Sequence, residues 1–387
     1  MVLLAAGESS RFWPLSTHGH KSLHRLCGKT IIEHTVESLV AAGFTDIVVV
    51  QSPYGPRAGQ DSSRAAHFPH RTVADHLGDG ARYEAQIRYV DQPQAVGQGN
   101  AMLLAAELLN GDEFFLVQPE NVNAGEVLAE LQDGLGNVIA VKAEEETWLF
   151  GICAVEGDLV TDIVEKPEAG TEPSKLCSMA VAKLNQAYLE ELRKLPADPI
   201  NSVLALQELA QRKSLRYVQT EQPFFPLKYP WHLFAIADFI KPPDEAFVGS
   251  GATIDPTAKV AADCVIESDA AIGPGVTLSR SLVGAGSDVR SSIADSILGA
   301  AVTIGSNVAV ETEPVTDGHV TVDVKGHEID TTLPALGTTI GQGTNISDGS
   351  VISPGVMIGA ECVVGIGETV TKNRPDRSGG VEPDPRK

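Results

Sequence analysis

Two cations stand just beyond a short apolar run near the start of the chain. Ala5-Ala6-Gly7-Glu8-Ser9-Ser10-Arg11 leads to Pro14-Leu15 and then to His20-Lys21-Ser22-Leu23. A turn of small residues after a strand lets backbone N–H groups approach a phosphate closely. Arg11 and Lys21 add the positive charge that a triphosphate site needs. The same turn would also serve a plain strand–helix connection with two solvated cations, and such turns are common. The turn alone therefore decides nothing. Other chemistry is thin. His18, His20, His24 and His34 follow one another at spacings of two, four and ten, with no carboxylate or cysteine at ligand distance, which argues against a metal cluster. The five cysteines form no CxxC pair and an odd total, so they read as apolar fillers in a reducing cytosol.

The elements that must carry these residues fall into two halves. At 387 residues the chain is long enough for two or three domains. Its 29 Lys and Arg against 51 Asp and Glu give a net charge of −22, which argues against nucleic acid as the main partner. Small anions stay possible, because local cations outweigh a distant net charge under screening. No apolar run reaches the 18 or more residues that span a bilayer. The first residues lack the charged segment and the length of a secretory signal, so a cytoplasmic location is expected, with no membrane contact.

Up to residue 240 the pattern alternates strand and helix. Apolar strands are expected at 2–5, 46–50, 114–117 and 138–141, with helices at 31–42 and 101–109 between them. That order implies an α/β domain with a mostly parallel sheet, whose ligands sit beyond the carboxyl ends of the strands. The 231–240 segment reads as a helix that joins domains through its apolar face.

From Val248 a different rule applies. Branched or Leu residues recur every sixth position at Val248, Ile254, Val260, Ile266, Ile272 and Leu278, then at Leu298, Ile304 and Val310, and again from Ile340 to Val370. Each hexad reads as a short strand and a turn, three hexads close one triangular coil, and stacked coils bury a column of Ile and Val. The fifteen in-register positions give about five coils. The register lapses across 279–297. A stretch without hexads at 311–339 is expected to hold a small hairpin, with Val320, Val322 and Val324 on one strand and Lys325-Gly326 turning back toward Ile329. The expected domains are therefore 1–240, then a β-helix over 247–372 with its insertion at 311–339, then a disordered tail at 373–387.

The motifs taken together carry a resemblance. Leu4-Ala5-Ala6-Gly7, Arg11, Pro14-Leu15, Lys21, Leu23, Gly28-Lys29 and Ile32-Glu33-His34 resemble the opening signature of the sugar-1-phosphate nucleotidylyltransferases. Gln92-Pro93 with Gly97-Gln98-Gly99-Asn100-Ala101 resembles the base-reading segment of that family. Phe150-Gly151 and Val164-Glu165-Lys166-Pro167 resemble its sugar and sugar-phosphate segments, and Tyr229-Pro230-Trp231 the end of its catalytic domain. The hexads resemble the left-handed β-helix of the hexapeptide acyltransferases. The closest architecture is that of GDP-mannose pyrophosphorylases and bifunctional N-acetylglucosamine-1-phosphate uridylyltransferases.

The resemblance implies a Rossmann-like nucleotidyltransferase domain followed by a left-handed β-helix. It also implies transfer from a nucleoside triphosphate to a sugar 1-phosphate with release of pyrophosphate. Ala5, Ala6, Gly7, Gln92 and Gly97 would bind the nucleotide, and Arg11 and Lys21 would grip its triphosphate. Gly151, Glu165 and Lys166 would hold the sugar phosphate, and Glu120 would meet Mg²⁺. The β-helix would serve structure or homo-oligomerisation. Several positions depart from the family pattern. Ser9 stands for Gly, His20 for Pro, Gln118-Pro119-Glu120 for Asn-Gly-Asp, Pro226 for a second Asp, and Ser178-Met179-Ala180 for Asn-Ala-Gly. Those departures raise an alternative, a non-catalytic nucleotide-sugar-binding partner subunit. In the β-helix, Thr316 stands where the bifunctional relatives carry the acetyl-transfer His. His319 and His327 lie nearby, but acetyltransferase activity is not expected.

Overall fold

The computed structural model describes residues 1–53, 71–145, 147–314 and 318–379. These divide into two compact units. One comprises Met1–Glu8 and Ile31–Phe225, the other Ser9–Thr30 and Pro226–Lys387. The division cuts across the expected boundary at 240, because the early segment Ser9–Thr30 clusters with the C-terminal half of the chain.

The first unit is built on a nine-stranded sheet. In spatial order its strands are Gln86–Asp91, Asp46–Gln51, Val2–Ala5, Glu113–Val117, Leu176–Asn185, Asn137–Ala143, Leu215–Gln219, Leu159–Glu165 and Gly151–Glu156. The first four run parallel, and Leu176–Asn185 runs antiparallel to both its neighbours. The sheet is thus mixed. The four sequence-read strands are present, and the five others, Gln86–Asp91, Gly151–Glu156, Leu159–Glu165, Leu176–Asn185 and Leu215–Gln219, were not expected from the sequence. The strands 2–5 and 46–51 are buried on both faces, as continuous Val/Ile/Leu runs require. The helix Ile31–Ala41 buries Ile31, Thr35 and Leu39 together with Ile32 and Val36, the one-face spacing of an amphipathic helix. The helix Gln98–Ala106 begins at Gln98, capped by Gly97, and not at the expected residue 101.

The second unit contains a left-handed parallel β-helix. Two of its faces carry six short strands each, and the third is made of two three-stranded sets. Coils are regular at both ends. Ile254 pairs with Ile272 and Ile346 with Val364, eighteen residues or three hexads apart. Between them the lapse at 279–297 is a coil and not a break. Leu278 pairs with Ile293 and Val289 with Ile304, only fifteen residues apart. The inward column continues through Val283, Val289, Ile293 and Leu298, all buried, while the turns have shortened. That shortening hid one coil from a six-residue count.

The insertion forms the expected hairpin. Thr321–Val324 pairs antiparallel with His327–Asp330, and Lys325 and Gly326 both take positive φ in the turn. The helix Leu233–Ile240 buries Leu233, Phe234, Ile236 and Ala237 in this unit, and the Arg280 guanidinium lies over the Phe234 ring. The tail needs correction. Residues 373–379 follow the edge of the last coil, with the Arg374 and Arg377 N–H groups donating to the Met357 and Ala360 carbonyls. The rest of the expected tail, 380–387, lies outside the described residues, as does Thr316.

Candidate functional site

In the first unit, three groups of expected site residues come to one edge of the sheet. Val2–Ala5 delivers Ala5, Ala6 and Gly7 at its carboxyl end. Ala5 pairs with Gln51 and Gln51 with Asp91, so Gln92 leaves the sheet at the same level. Glu113–Val117 lies on the other side of Val2–Ala5 and ends at Gln118-Pro119-Glu120. This is the edge where open α/β sheets hold ligands.

Gln92 is 4% exposed, and its amide nitrogen donates to the Gly97 carbonyl at 3.1 Å and to Asn100 Oδ1 at 2.9 Å. Both amide hydrogens are thus committed to fixing the turn before the helix Gln98–Ala106, which leaves Oε1 as the amide's acceptor. Gly97 itself sits at φ +101°, and a Cβ there would lie 2.7 Å from the Asp198 carbonyl oxygen. No other residue fits.

The turn after Val117 is held tightly. Asn121 Oδ1 accepts the Gln118 N–H at 3.0 Å, and Thr35 donates its hydroxyl to the Pro119 carbonyl at 2.9 Å. Glu120 is carried inward and is only 8% exposed. The irregular stretch 178–182, with Ala180 at φ +54°, opens just before Ala182 pairs with Leu116. That places the departed Ser178-Met179-Ala180 turn at the same strand end.

Gly151, Glu165 and Lys166 also meet. Gly151 pairs with Glu165 across two antiparallel strands, and the Lys166 N–H donates to the Phe150 carbonyl at 2.9 Å. Lys166 turns at φ +49° and stands 3.6 Å from the Glu165 carboxylate, with both side chains exposed. A Cβ on Gly151 would come within 3.0 Å of Glu165 Oε2.

Arg11 and Lys21 belong to the second unit. Ser9 explains its own departure from Gly. It adopts φ +53°, the left-handed region that glycine enters freely, and its hydroxyl accepts the Lys21 N–H at 3.0 Å. His20 likewise replaces Pro with a cap. Its Nδ1 accepts the Ser22 N–H at 3.2 Å and lies 2.7 Å from the Ser22 hydroxyl, fixing the short turn that carries Lys21. Lys21 Nζ donates to the Leu227 carbonyl at 2.8 Å.

Here the structure adds a residue that the sequence reading missed. Burial lowers the His232 imidazole to about 4, and the charges of Lys228, Lys21 and Arg11 push the same way. Three cations therefore lie within reach of one neutral histidine. Lys228 directly precedes Tyr229-Pro230-Trp231, and that adjacency was the only sequence signal for it. Pro226 offers its carbonyl to His232 and to the Lys228 N–H, so it shapes this turn.

Residues 1–220 match the family described as "Nucleotidyl transferase", more than half of the chain. The chain belongs to that family. Three curated relatives illustrate the range. A low-salt glycan biosynthesis nucleotidyltransferase of Haloferax volcanii is 27% identical over 50% of this chain and 51% of its own length. A "Bifunctional protein GlmU" of Methanococcus maripaludis is 22% identical over 88% and 87%. A UTP–glucose-1-phosphate uridylyltransferase of Bacillus subtilis is 29% identical over 54% and 79%. The match to the Haloferax relative spans about half of that protein. Among solved structures, a putative glucose-1-phosphate thymidylyltransferase of Bacillus anthracis aligns with 62% of this chain and 96% of its own. Its TM-score is 0.51 at 18% identity, a likeness of fold alone.

The family works with a divalent metal. The described residues contain no group of three or more His, Cys, Asp or Glu that could hold an ion by themselves. Glu120 alone is a donor set for an ion whose other ligands are phosphate oxygens and water, the usual way Mg²⁺ is held beside nucleotides. In the β-helix insertion, His319 pairs with Asp330 at 3.2 Å on an exposed surface, and His327 is exposed on the hairpin. Among the described residues no helix is long and apolar enough to cross a membrane.

Proposed function

We propose that this nucleotidyltransferase joins a nucleoside triphosphate to a sugar 1-phosphate and releases pyrophosphate. The observation that carries the reading is the gathering of Arg11, Lys21 and Lys228 around a neutral His232, on a loop braced by Ser9 and His20. The names of the Bacillus relatives point to a sugar 1-phosphate as the acceptor. Those transferase names also weigh against a binding-only role.

In the reaction, an oxygen of the sugar phosphate attacks the α-phosphorus, and the bond to the departing pyrophosphate breaks. The attacking phosphate is already an anion, so no general base is needed. The protein must instead hold two polyanions against their repulsion and meet the charge that grows on the leaving group. Arg11, Lys21 and Lys228 answer the second need. Lys166, turned outward beside Glu165, answers the first for the sugar phosphate. Gln92 Oε1 would accept a hydrogen bond from the base. Mg²⁺, when bound beside Glu120, would neutralise phosphate charge. Five free, buried cysteines fit the reducing cytoplasm that this reading entails.

The test is pyrophosphate release with Mg²⁺ across a panel of nucleoside triphosphates and sugar 1-phosphates. Release with one pair is expected and names the substrates. Silence across the panel, with nucleotide sugars still raising the melting temperature, would replace catalysis with binding.

A further inference from the structure

The segment Ser9–Thr30 clusters with the C-terminal half of the chain through a few side chains rather than through a strand ladder. At its near end the contact is Asp376. One oxygen of that carboxylate accepts the Trp13 indole N–H at 2.9 Å and the Ala360 N–H at 2.9 Å. The Thr17 hydroxyl lies 3.3 Å from the same oxygen and shares its one hydrogen with the nearer Pro14 carbonyl at 3.0 Å. Asp376 stands on the stretch 373–379 that borders the last coil, where Arg374 bridges to Ile358. Asn373 ties the same stretch to the insertion hairpin by donating to the Asp323 carbonyl at 2.7 Å, and Lys325 of that hairpin donates to the Ser10 hydroxyl at 3.2 Å.

At the far end the contact is Glu267, 2% exposed, whose two oxygens lie 3.1 and 3.2 Å from the Gly28 nitrogen. Gly28 turns at φ +84°, and a Cβ there would meet the Phe247 ring at 3.1 Å. Between these two ends lie Lys21 and the residues that brace it.

We propose that Asp376 is a positioning residue for nucleotidyl transfer. By holding Trp13 and Thr17 against the last coil, it fixes the loop that carries Arg11 and Lys21, so the β-helix sets the conformation of the triphosphate grip. The proposal rests on the function proposed above for those two cations. A bond to a carboxylate is stronger than one between neutral groups, and the same oxygen ties the Trp13 indole to the Ala360 N–H of the last coil. The competing account is that Asp376 only finishes the end of the β-helix through the Ala360 N–H. Trp13→Phe separates the two, because it removes the indole donor and leaves the Asp376–Ala360 bond in place.

The experiment uses the full chain as wild type, Asp376→Ala, Asp376→Asn and Trp13→Phe, with two readouts. Trypsin cleavage after Arg11 and Lys21, followed by mass spectrometry, reports the opening of the loop without reference to activity. Steady-state kinetics report KM for each substrate. Asp376→Ala and Trp13→Phe are expected to speed cleavage at both sites by about tenfold. They should raise KM for the nucleoside triphosphate by about tenfold and leave KM for the sugar phosphate unchanged. Asp376→Asn keeps a carbonyl oxygen as acceptor and should stay within about threefold of wild type.

The proposal is overturned if Trp13→Phe leaves both the cleavage and the nucleotide KM within about twofold of wild type. That holds even where Asp376→Ala loosens the whole last coil. A wild-type chain that releases no pyrophosphate defeats the proposed function, and the cleavage rates then decide separately whether Asp376 holds the loop.

Discussion

The loop that carries Arg11 and Lys21 and the hairpin that carries Gly151 and Lys166 would both present cations to phosphates in the proposed reaction, and they are held by different means. Lys166 is placed by local pairing. Its strand lies against Gly151–Glu156, and the two are joined by a short turn. Arg11 and Lys21 depend on remote carboxylates, Asp376 and Glu267, which are separated from their partners Trp13 and Gly28 by 363 and 239 residues. A locally paired strand keeps its shape whatever happens elsewhere in the chain. A loop pinned by distant side chains can be loosened by changes that never touch it. The sugar-phosphate grip should thus be robust and the triphosphate grip conditional.

The sharpest way to test that contrast is to remove each cation. Lys21→Ala is expected to lower kcat/KM by about 100-fold or more, because it removes a charge that the proposed reaction sets against the leaving pyrophosphate; full pyrophosphate release by this variant would end the assignment. Lys166→Ala should cost less. Its expected signature is about a tenfold rise in KM for the sugar phosphate with the nucleotide KM unmoved, and an equal rise in both would mean that the two grips are not independent.

Acid should act on stability and not on the choice of substrate. Burial holds His232 neutral with its pKa near 4, while the unfolded chain takes up a proton near 6.5. The stabilisation is therefore complete above about pH 6.5 and is lost as the pH falls toward 4, by about 3 kcal/mol in all. Hydrogen exchange at pH 5 should rise across 229–240 before it rises in Leu176–Asn185. The reverse order would place the acid-sensitive part of the molecule elsewhere.

How much of this could be read in advance follows from the same contrast. Strand–turn–helix punctuation showed Gly7, and hexad periodicity showed most of the β-helix, since both signals are local. The hairpin at Lys325-Gly326 was legible for the same reason. The coil over 279–297 was not, because its turns contract from an eighteen- to a fifteen-residue repeat while its inward residues stay apolar. Asp376 was not legible either. It lies among Asn, Arg, Pro, Asp and Gly, a composition that reads as disorder, and its role appears only when Trp13 reaches it. Gln92 and Glu120 were singled out by resemblance, and their burial was not foreseen. Gln92 spends its donors on Gly97 and Asn100, which no spacing rule reveals.

The two pins of the Ser9–Thr30 segment also make it a ruler. Glu267 follows Ile266, and Asp376 accepts from Ala360, two residues past Ile358. On that face the strands run from Ile266 through Val283, Leu298 and Ile340 to Ile358, four steps of stacking. At about 4.8 Å per step the pins are set about 19 Å apart along the stack. Solenoids commonly gain or lose whole repeats, since each coil touches only its neighbours. Here one stretch of chain spans four steps at once, so a coil added or deleted between the pins would release one end of it. The number of coils between them matches the folded span of a loop that belongs to none of them.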